Sequence, residues 1–439
     1  MYRNMKNSKK FLLINLLIIF VCFLFIGGCK KEEIIDYNIS DDELIGANID
    51  QENETKAFSF ERPMDQGFQE KIVTKKDKDR LINNEILNML EKRTKTPTTV
   101  HGIYLPAYVV GNQEKFDKIF ENMINSNVNA IIVDVKDELG RITIDIDGEI
   151  IKSLKTKEVQ IKDVKGFLDR CHNNNIYVVA RVASFLDNFA PRQDKSMAVR
   201  KKDGSYYKDN SGYFWLNPFE EKVQNYIKEI GLGCAKLGFD EIQYDYFRFS
   251  ADRGMNKVEF PQIEQGTTKT DILSKIAQEH YKTYIKENVF FSLDVFGAII
   301  NSYKDQYSIG QDYNQLVKYC DYICPMVYPS HYANKTFGLD VPDLEPYNCV
   351  LAAMNSSKNS IENQKDQSAH YGQVRPWLQA FTANYIETYM VYDPPQYKEQ
   401  IKAVEDGGYN EWIFWQGGGV YKWAAFLNEG ATDYTKVGK

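Results

Sequence analysis

The sequence predicts an α/β protein: a (β/α)8 TIM barrel with insertions, preceded by a signal peptide and a polar linker. From residue 100 onward, short apolar runs alternate with amphipathic stretches, which is typical of parallel strands joined by right-handed crossovers. Eight such units in about 340 residues suit a (β/α)8 barrel. A doubly wound open sheet is the alternative, but GIYLPAYVVG, at the first run, lacks the glycine-rich phosphate loop expected there.

The eight apolar runs are the predicted barrel strands. They are VHGIYL (100–105), NAIIVDVKD (129–137), IYVVARVASF (176–185), DEIQYDYFRF (240–249), FFSLDVFG (290–297), YICPMVYP (322–329), RPWLQAF (375–381) and EWIFWQGG (411–418). Their length and their content of branched and aromatic residues favour buried strands.

The stretches between these runs are the predicted helices. They include EKFDKIFENMINSN, VKGFLDRCHNNN, EEKVQNYIKEIGLGCAKLG, TDILSKIAQEHYKTYIKEN, DYNQLVKYC and PQYKEQIKAVEDGG. Several of them end in Asn or Gly, the residues that most readily adopt the left-handed conformation at the end of a helix.

The amino-terminal segment predicts export. Four basic residues precede the apolar run FLLINLLIIFVCFLFI, which ends at Gly27-Gly28-Cys29. A basic region, an apolar region and a small-residue cleavage site define a secretory signal peptide. The ending is similar to the bacterial lipobox, which implies cleavage before Cys29 and a lipid on its sulfur. A retained membrane helix is the alternative, since the run is close to spanning length. The lipid-modified Cys29 and the retained membrane helix both predict a protein held at the cell membrane on its extracytoplasmic face.

Three regions are therefore expected: a lipoprotein signal peptide at 1–28, a polar and partly disordered linker at 29–96, and the barrel at 97–439. The linker prediction rests on its charged, Asn-rich composition without sustained periodicity. Within it, DRLINNEILNMLEKR predicts one helix that packs through an apolar stripe. The stripe consists of Leu81, Ile82, Ile86, Met89 and Leu90.

Composition excludes some classes of partner and cofactor. The chain of 439 residues has a formal net charge of −7, so a nucleic-acid-binding surface is not expected. The cysteines other than Cys22 and Cys29 are scattered and are predicted to be buried apolar side chains, and no metal or other cofactor is predicted. They are Cys171, Cys234, Cys320, Cys324 and Cys349. The oligomeric state cannot be inferred from the sequence.

The fourth and fifth runs carry acidic residues where a barrel opens. In the fourth, Glu241, Gln243 and Asp245 alternate with apolar residues, which places them on the interior face. Asp245 comes last, at the mouth, whereas Glu241 is expected near the floor in a salt bridge. Asp294 falls just before the Gly that ends the fifth run.

Two neighbouring strands would thus present one carboxylate each at the same height. With strands about 4.8 Å apart, the two carboxyl groups can lie roughly 5 to 10 Å apart, the range that spans retaining and inverting glycosidases. Buried strands seldom tolerate unpaired carboxylates, so both acids are candidate catalytic residues.

Further candidates bind substrate or tune these acids. Arg181 on the third run, with Arg248 and Gln243, is expected to keep Asp245 ionised. Aromatic faces at strand ends suit the apolar faces of sugar rings, and polar side chains suit the hydroxyls. The remaining substrate-binding candidates are Asp134, Lys136, Tyr328, His331, Trp377, Gln379 and Trp415.

Several segments, taken in order, resemble the bacterial putative glycoside hydrolase domain family, a group of TIM barrels remotely similar to α-amylase-type enzymes. They are VHGIYLPAYVVG, NAIIVDVKDELGRI, ARVASF, DGSYYKDNSGYFWLNP, GFDEIQYDYFRF, SLDVFG, CPMVYPSHY and RPWLQAF. The resemblance covers residues 99 to 427 and implies hydrolysis of a glycosidic bond in a polysaccharide or oligosaccharide. It also implies a nucleophile at Asp245 and an acid at Asp294, although amylases use Glu at the second position.

Two other functions stay open. The protein could be a non-catalytic carbohydrate-binding or scaffolding barrel, because a fold alone does not establish an activity. The carboxylates could also hold a metal ion for deacetylation. The chain has 5 His, which weighs against zinc, whereas oxygen-ligated Ca²⁺ remains compatible.

Overall fold

The computed structural model describes residues 75–366 and 368–436. Its strands are β1 His101–Leu105, β2 Ala130–Lys136, β3 Ile142–Ile144, β4 Lys157–Ile161, β5 Tyr177–Ala183, β6 Glu241–Asp245, β7 Phe290–Phe296, β8 Tyr322–Met326, β9 Gln373–Val374, β10 Trp377–Gln379 and β11 Trp412–Trp415. The signal peptide and Cys29 lie outside the described residues.

Eight of these strands close into a parallel barrel, which confirms the predicted fold. The order is β1-β11-β10-β8-β7-β6-β5-β2, and β2 pairs back to β1. Each barrel strand falls within one of the predicted apolar runs. The short strands β3 and β4 extend the sheet from the end of β2, and β9 adds to the start of β8.

Helices surround the barrel. They are α1 Lys75–Leu90, α2 Ala107–Val110, α3 Gln113–Ile124, α4 Glu149–Leu154, α5 Val164–His172, α6 Ala190–Gln193, α7 Glu221–Leu237, α8 Pro261–Glu264, α9 Lys269–Lys286, α10 Tyr303–Ile309, α11 Tyr313–Leu316, α12 Pro346–Glu362 and α13 Pro394–Asp406. Local sequence sets their ends: a capping box of Thr268 and Asp271 begins α9, and Gly238, at φ 99°, ends α7. No helix of the described segments is long and apolar enough to span a bilayer.

Strand alternation separates the interior from the helix-facing surface. On β6, Ile242 and Tyr244 point outward into the layer of helices, and the Tyr244 hydroxyl lies 3.0 Å from Nδ1 of His280 on α9. A second apolar cluster fills the barrel itself, with side chains from seven strands packed against one another. Its members include Tyr104, Ile132, Val179, Phe290, Tyr322, Trp377 and Ile413.

The floor of the barrel holds a buried ion cluster. Arg375 donates to both carboxylate oxygens of Glu241 at 2.9 Å and to Glu411 at 3.0 Å, and all three residues are buried. The salt bridge predicted for Glu241 is therefore confirmed. Because each charge has an opposite partner, the cluster avoids the cost of an isolated buried ion.

The helix predicted inside the linker packs against the barrel. On α1, Ile86 is fully buried, whereas Leu81 is 61% exposed, so the buried stripe, contrary to the prediction, does not include Leu81. After the helix, Arg93 pairs with Asp321 at 2.5 Å and Lys95 pairs with Asp240 at 2.9 Å. Asp240 and Asp321 directly precede β6 and β8, so this segment docks at the amino ends of the strands.

The five cysteines after Cys29 behave as small apolar side chains, as the sequence predicts. All of them are fully buried and none forms a disulfide. Burial raises the pKa of the Cys171 thiol to about 12, so this side chain stays a neutral packing group.

Candidate active site

A cavity of about 200 Å³ opens at the carboxyl ends of the barrel strands. This is the end at which TIM barrels carry their active sites. Several of the candidates from the sequence line it: Arg181, Asp245, Arg248, Tyr328, His331, Trp377 and Trp415. The cavity therefore brings together residues from β5, β6, β10 and β11 and from the loops after β6 and β8.

Arg181 is the centre of the charged part of this site. Its Nε and Nη2 donate to Oδ2 of Asp245 at 3.0 and 2.5 Å, and Nη2 also reaches Glu138 at 2.7 Å. Nη1 pairs with Asp134 on β2. Burial alone would lower the pKa of Arg181, but these three carboxylates raise it well above its ordinary value. The guanidinium is therefore permanently charged.

The carboxylates around Arg181 differ in their pKa. Burial raises the pKa of Asp134 to about 7, although Arg181 and the Tyr104 hydroxyl, 2.5 Å away, oppose the shift. Burial acts in the same direction on Glu138, but Arg181 outweighs it and the pKa of Glu138 is lowered. One guanidinium therefore cannot hold every neighbouring acid ionised to the same degree.

The backbone at the end of β6 is strained. Tyr246, the residue after Asp245, has φ 48°, in the left-handed region that side chains larger than Gly rarely adopt. Its amide donates to Oδ1 of Asp245 at 2.6 Å. This turn fixes the carboxylate of Asp245 against Arg181 at the cavity wall, and such strain is concentrated at functional sites.

Asp294 lies beside this site but behind its wall. It is 1% exposed, is not a lining residue of the cavity, and its Oδ1 accepts from Nε1 of Trp377 at 2.7 Å. Burial, followed by the charge of Asp245, raises the pKa of Asp294 well above its ordinary value. Burial and the charge of Asp245 therefore favour the protonated form of Asp294, and the Trp377 indole that donates to it lines the cavity.

Lys136 is not a substrate contact, which corrects the sequence interpretation. A bulge between Asp134 and Lys136 shifts the pairing of β2 with β5. The ammonium of Lys136 is fully buried, donates to the carbonyls of Ala183 and Leu186 at 2.6 and 3.1 Å, and pairs with Asp187 at 3.1 Å. Lys136 therefore anchors the loop after β5.

Gln379 also has a structural role rather than the predicted contact with substrate. Its side-chain oxygen accepts from the amide and hydroxyl of Ser330, and its nitrogen donates to Asp343 at 3.0 Å. It is fully buried and ties the loop after β8 to β10. Gln243 likewise lies beneath the cavity, where its nitrogen lies 3.6 Å from the Cys324 sulfur.

Part of the cavity comes from a long loop between β5 and α7 that the sequence analysis did not assign to the site. Asp209, Tyr213 and Trp215 from this loop line the wall. The guanidinium of Arg248 lies 4.9 Å from the Trp215 ring and 4.4 Å from the Phe296 ring. The aromatic-rich segment DGSYYKDNSGYFWLNP was the available signal for this loop.

A second and more polar cavity of about 150 Å³ lies on the other side of the Arg181 cluster. Its lining includes Tyr108, Asp134, Glu138 and Arg141. In residues 75–366 and 368–436, no group of three or more His, Cys, Asp and Glu side chains is placed to hold a metal ion. At the mouth of the barrel, the guanidinium of Arg181 lies among the carboxylates of Asp134, Glu138 and Asp245.

Comparisons with known proteins agree with the barrel. A family model described as "Putative glycosyl hydrolase domain" matches residues 102–421, and no curated protein matches. The PgaB (BpsB) glycoside hydrolase domain from Bordetella bronchiseptica is 13% identical, with a TM-score of 0.51, over 74% of this chain and 95% of its own. A hypothetical protein from Ruminiclostridium thermocellum ATCC 27405 is 27% identical, with a TM-score of 0.39, over 44% of this chain and 97% of its own. The PgaB likeness bears on the fold alone.

Proposed function

Since the chain belongs to the family of putative glycosyl hydrolase domains, we propose that it hydrolyses a glycosidic bond in a polysaccharide or oligosaccharide. The observation that carries the proposal is that Asp245 and Asp294 lie on neighbouring strands, β6 and β7, and interact electrostatically. Asp245 is held by a guanidinium at the cavity wall, and the pKa of Asp294 is raised by burial and then by the charge of Asp245. Glycosidases need two such carboxyl groups in opposite protonation states.

Asp245 is the proposed nucleophile. Its carboxylate would attack the anomeric carbon as the glycosidic bond breaks, and water would later release the sugar from the ester. Arg181 supports this role because its two hydrogen bonds to Oδ2 favour the ionised form. Two displacements at one carbon retain its configuration, so proton NMR of the first product should show the anomer of the substrate.

Asp294 is the proposed acid, which would donate its proton to the leaving oxygen. Its raised pKa supports this role, because an acid must still carry its proton at the working pH. The indole of Trp377 donates to Asp294 and lines the cavity, whereas Asp294 does not, so we expect this ring to move before the proton of Asp294 reaches a bound sugar. Trp377 is therefore part of the proposed mechanism, and not only a surface for stacking.

The remaining lining residues are proposed to bind the sugar. Trp415 and Tyr328 offer aromatic faces, and His331 and Arg248 offer hydrogen-bond donors for hydroxyls. The guanidinium of Arg181 lies 4.8 Å from the Trp415 ring, which ties this aromatic wall to the charged cluster.

The test is a screen of the protein from residue 75 to residue 439 against purified glycans, with release of reducing ends as the readout. Residue 75 is preferred as the start because α1 packs on the barrel. Asp245→Asn should abolish turnover while glycan binding persists, and Asp145→Asn, at an exposed acid that does not line the cavity, serves as the matched control. Equal turnover in Asp245→Asn and the control would reject the proposal.

A carbohydrate-binding barrel without turnover is the second candidate, and the position of Asp294 behind Trp377 is the observation that favours it. Such a protein would bind a glycan with similar affinity before and after Asp294→Asn, and no fragment would be released by either form. Calorimetric titration of the glycans that bind, run beside the turnover assay, separates the two functions.

Membrane attachment through a lipid on Cys29 is proposed from the sequence of residues 1–29. We expect the full chain to sediment with membranes and to take up a radiolabelled fatty acid. Cys29→Ser should lose the label, whereas Cys22→Ser should keep it. Equal labelling of the two variants would exclude the lipid anchor at Cys29.

A further inference from the structure

Three buried polar atoms on β6 and β7 make no hydrogen bond to any side chain or backbone group of residues 75–366 and 368–436. They are Oε1 of Gln243, Oγ of Ser292 and Oδ2 of Asp294, on residues that are 0, 0 and 1% exposed. Gln243 and Ser292 are direct neighbours in the pairing of β6 with β7. Ser292 and Asp294 are two residues apart on β7 and so share its interior face. The three residues therefore occupy adjacent positions on β6 and β7.

The chemistry of these atoms depends on the proton of Asp294. The Gln243 nitrogen is directed to the Cys324 sulfur, which leaves its oxygen as an acceptor only. Asp294 uses Oδ1 for Trp377, so its Oδ2 is the free oxygen of the carboxyl group. The Ser292 hydroxyl can donate one hydrogen bond and accept others.

If Oδ2 of Asp294 carries the proton, all three atoms can be satisfied in one chain. Asp294 donates toward Ser292, and Ser292 donates toward Gln243, with one water molecule bridging each step because the atoms do not hydrogen-bond to one another directly. If Asp294 is ionised, the single hydroxyl hydrogen of Ser292 faces two acceptors, Oδ2 of Asp294 and Oε1 of Gln243. One of these two oxygens then receives no hydrogen bond from Ser292. Such a loss is costly in a fully buried position.

We propose that Ser292 and Gln243 are positioning residues that hold Asp294 in its protonated form with the proton on Oδ2. The inference rests on the proposed role of Asp294 as the acid and explains how the barrel prepares that acid before substrate binds. It assigns Gln243 to Asp294, and not to Asp245 as its place on β6 first indicates.

Other groups around Asp294 also act on its protonation. Asp245 and Glu241 from β6 favour the protonated form, whereas Arg181 from β5 and the hydrogen bond from Trp377 on β10 favour the ionised form. Cys324, its neighbour on β8, is a buried thiol whose pKa is raised well above the ordinary value, first by burial. Variants of Ser292 and Gln243 leave all of these groups in place, so they isolate the effect of the hydrogen-bond chain on the protonation of Asp294.

The test is an infrared titration of the carboxylic acid absorption of Asp294, assigned by its loss in Asp294→Asn. Ser292→Ala and Gln243→Met should each move the midpoint of this titration to lower pH by about one unit, the worth of one hydrogen bond. Ser292→Thr retains the hydroxyl and should keep the original midpoint, and Ser153→Ala, at an exposed position, is the control.

An unchanged or higher midpoint in folded Ser292→Ala or Gln243→Met would overturn the inference, as would an Asp294 that titrates in the parent protein at its ordinary value. Circular dichroism checks that each variant is folded, and Gln243→Met stands alone if Ser292→Ala does not fold. The titration needs no substrate, so it is independent of whether the protein has hydrolase activity. If the protein turns over glycans but the titration midpoint of Asp294 is unchanged in both variants, the hydrogen-bond chain is rejected and the hydrolase proposal is not.

Discussion

Arg181 on β5 donates two hydrogen bonds to a single carboxylate oxygen of Asp245 on β6, from Nε at 3.0 Å and from Nη2 at 2.5 Å. Both residues are largely buried, at 1 and 8% exposure. The contact joins neighbouring strands at the height where the cavity begins. Arg181 also contacts Asp134 and Glu138, so this pair is part of a larger group of acids around one guanidinium.

Replacing the proposed nucleophile should abolish catalysis without unfolding the protein. Asp245→Asn keeps the shape and one acceptor oxygen but loses the negative charge that attacks the sugar. We expect kcat to fall by at least about 10³-fold, with a melting temperature within a few degrees of the parent protein. Steady-state kinetics on the glycan found by the screen give the first quantity, and calorimetry gives the second.

Removing Arg181 should lower the free energy of unfolding by more than the loss of any one of its hydrogen bonds would. Arg181→Met leaves three carboxylates facing one another, and breaking a buried pair costs about 3–5 kcal/mol. Urea unfolding at pH 7 measures the loss. Arg181→Lys should be intermediate, because an ammonium cannot reproduce the forked contact. A loss for Arg181→Met that is no smaller at pH 5, where Asp134 is protonated, would contradict this explanation.

Stability should depend on pH through Asp134. The pKa of Asp134 in the folded protein, about 7, lies above its ordinary value of 3.8, so the folded state binds more protons between these pH values. The free energy of unfolding from this group therefore falls as pH rises through that window. Asp134→Asn should flatten the slope between pH 4 and 7 in urea titrations. An identical slope in both proteins would show that another group is responsible.

The hydrogen bond from Trp377 should tune the proposed acid. This bond lowers the pKa of Asp294 against the larger effect of burial, so Trp377→Phe should raise it further. The alkaline limb of the kcat profile should then move to higher pH, opposite in direction to the shift expected for Ser292→Ala. Trp412→Phe, in the apolar layer outside the barrel, is the matched control.

The segment before the barrel should contribute to stability. Arg93 and Asp321 are paired with side-chain exposures of 6 and 8%, and Asp321 also accepts from the Tyr281 hydroxyl and the amide of Phe291. Arg93→Ala should therefore destabilise the protein by about 3–5 kcal/mol in urea unfolding. A protein that begins at residue 97 should lose at least as much. Equal stability of the two lengths would place the domain boundary at 97.

The strands and the polar faces could be predicted because both depend on local pattern. Apolar runs separated by helical stretches identify all eight barrel strands, and the two-residue period places Glu241 on the floor and Asp245 at the mouth. Arg181 and the aromatic residues at strand ends follow from the same rule. These signals are local because a strand in a closed barrel alternates between the interior and the helices.

The errors concern residues whose role is set by distant partners. Lys136 follows the alternation of its strand in sequence, but a bulge and the carbonyls after β5 bury it. Asp294 was placed at the mouth, yet an indole 83 residues away along the chain covers it. The wall containing Trp215 comes from a long loop without strand periodicity. No pattern within one sequence encodes these contacts.

Because Arg93 and Lys95 dock at the amino ends of the strands, their segment and the cavity lie at opposite ends of the barrel. The segment that leads back toward residue 75 meets the base of the barrel, while the cavity opens at the opposite end. If the proposed lipid on Cys29 anchors the chain, a connection made through Arg93 and Lys95 would leave the cavity on the side of the barrel away from the membrane. Long polymers could then be reached from the surrounding space, without having to pass between the protein and the bilayer.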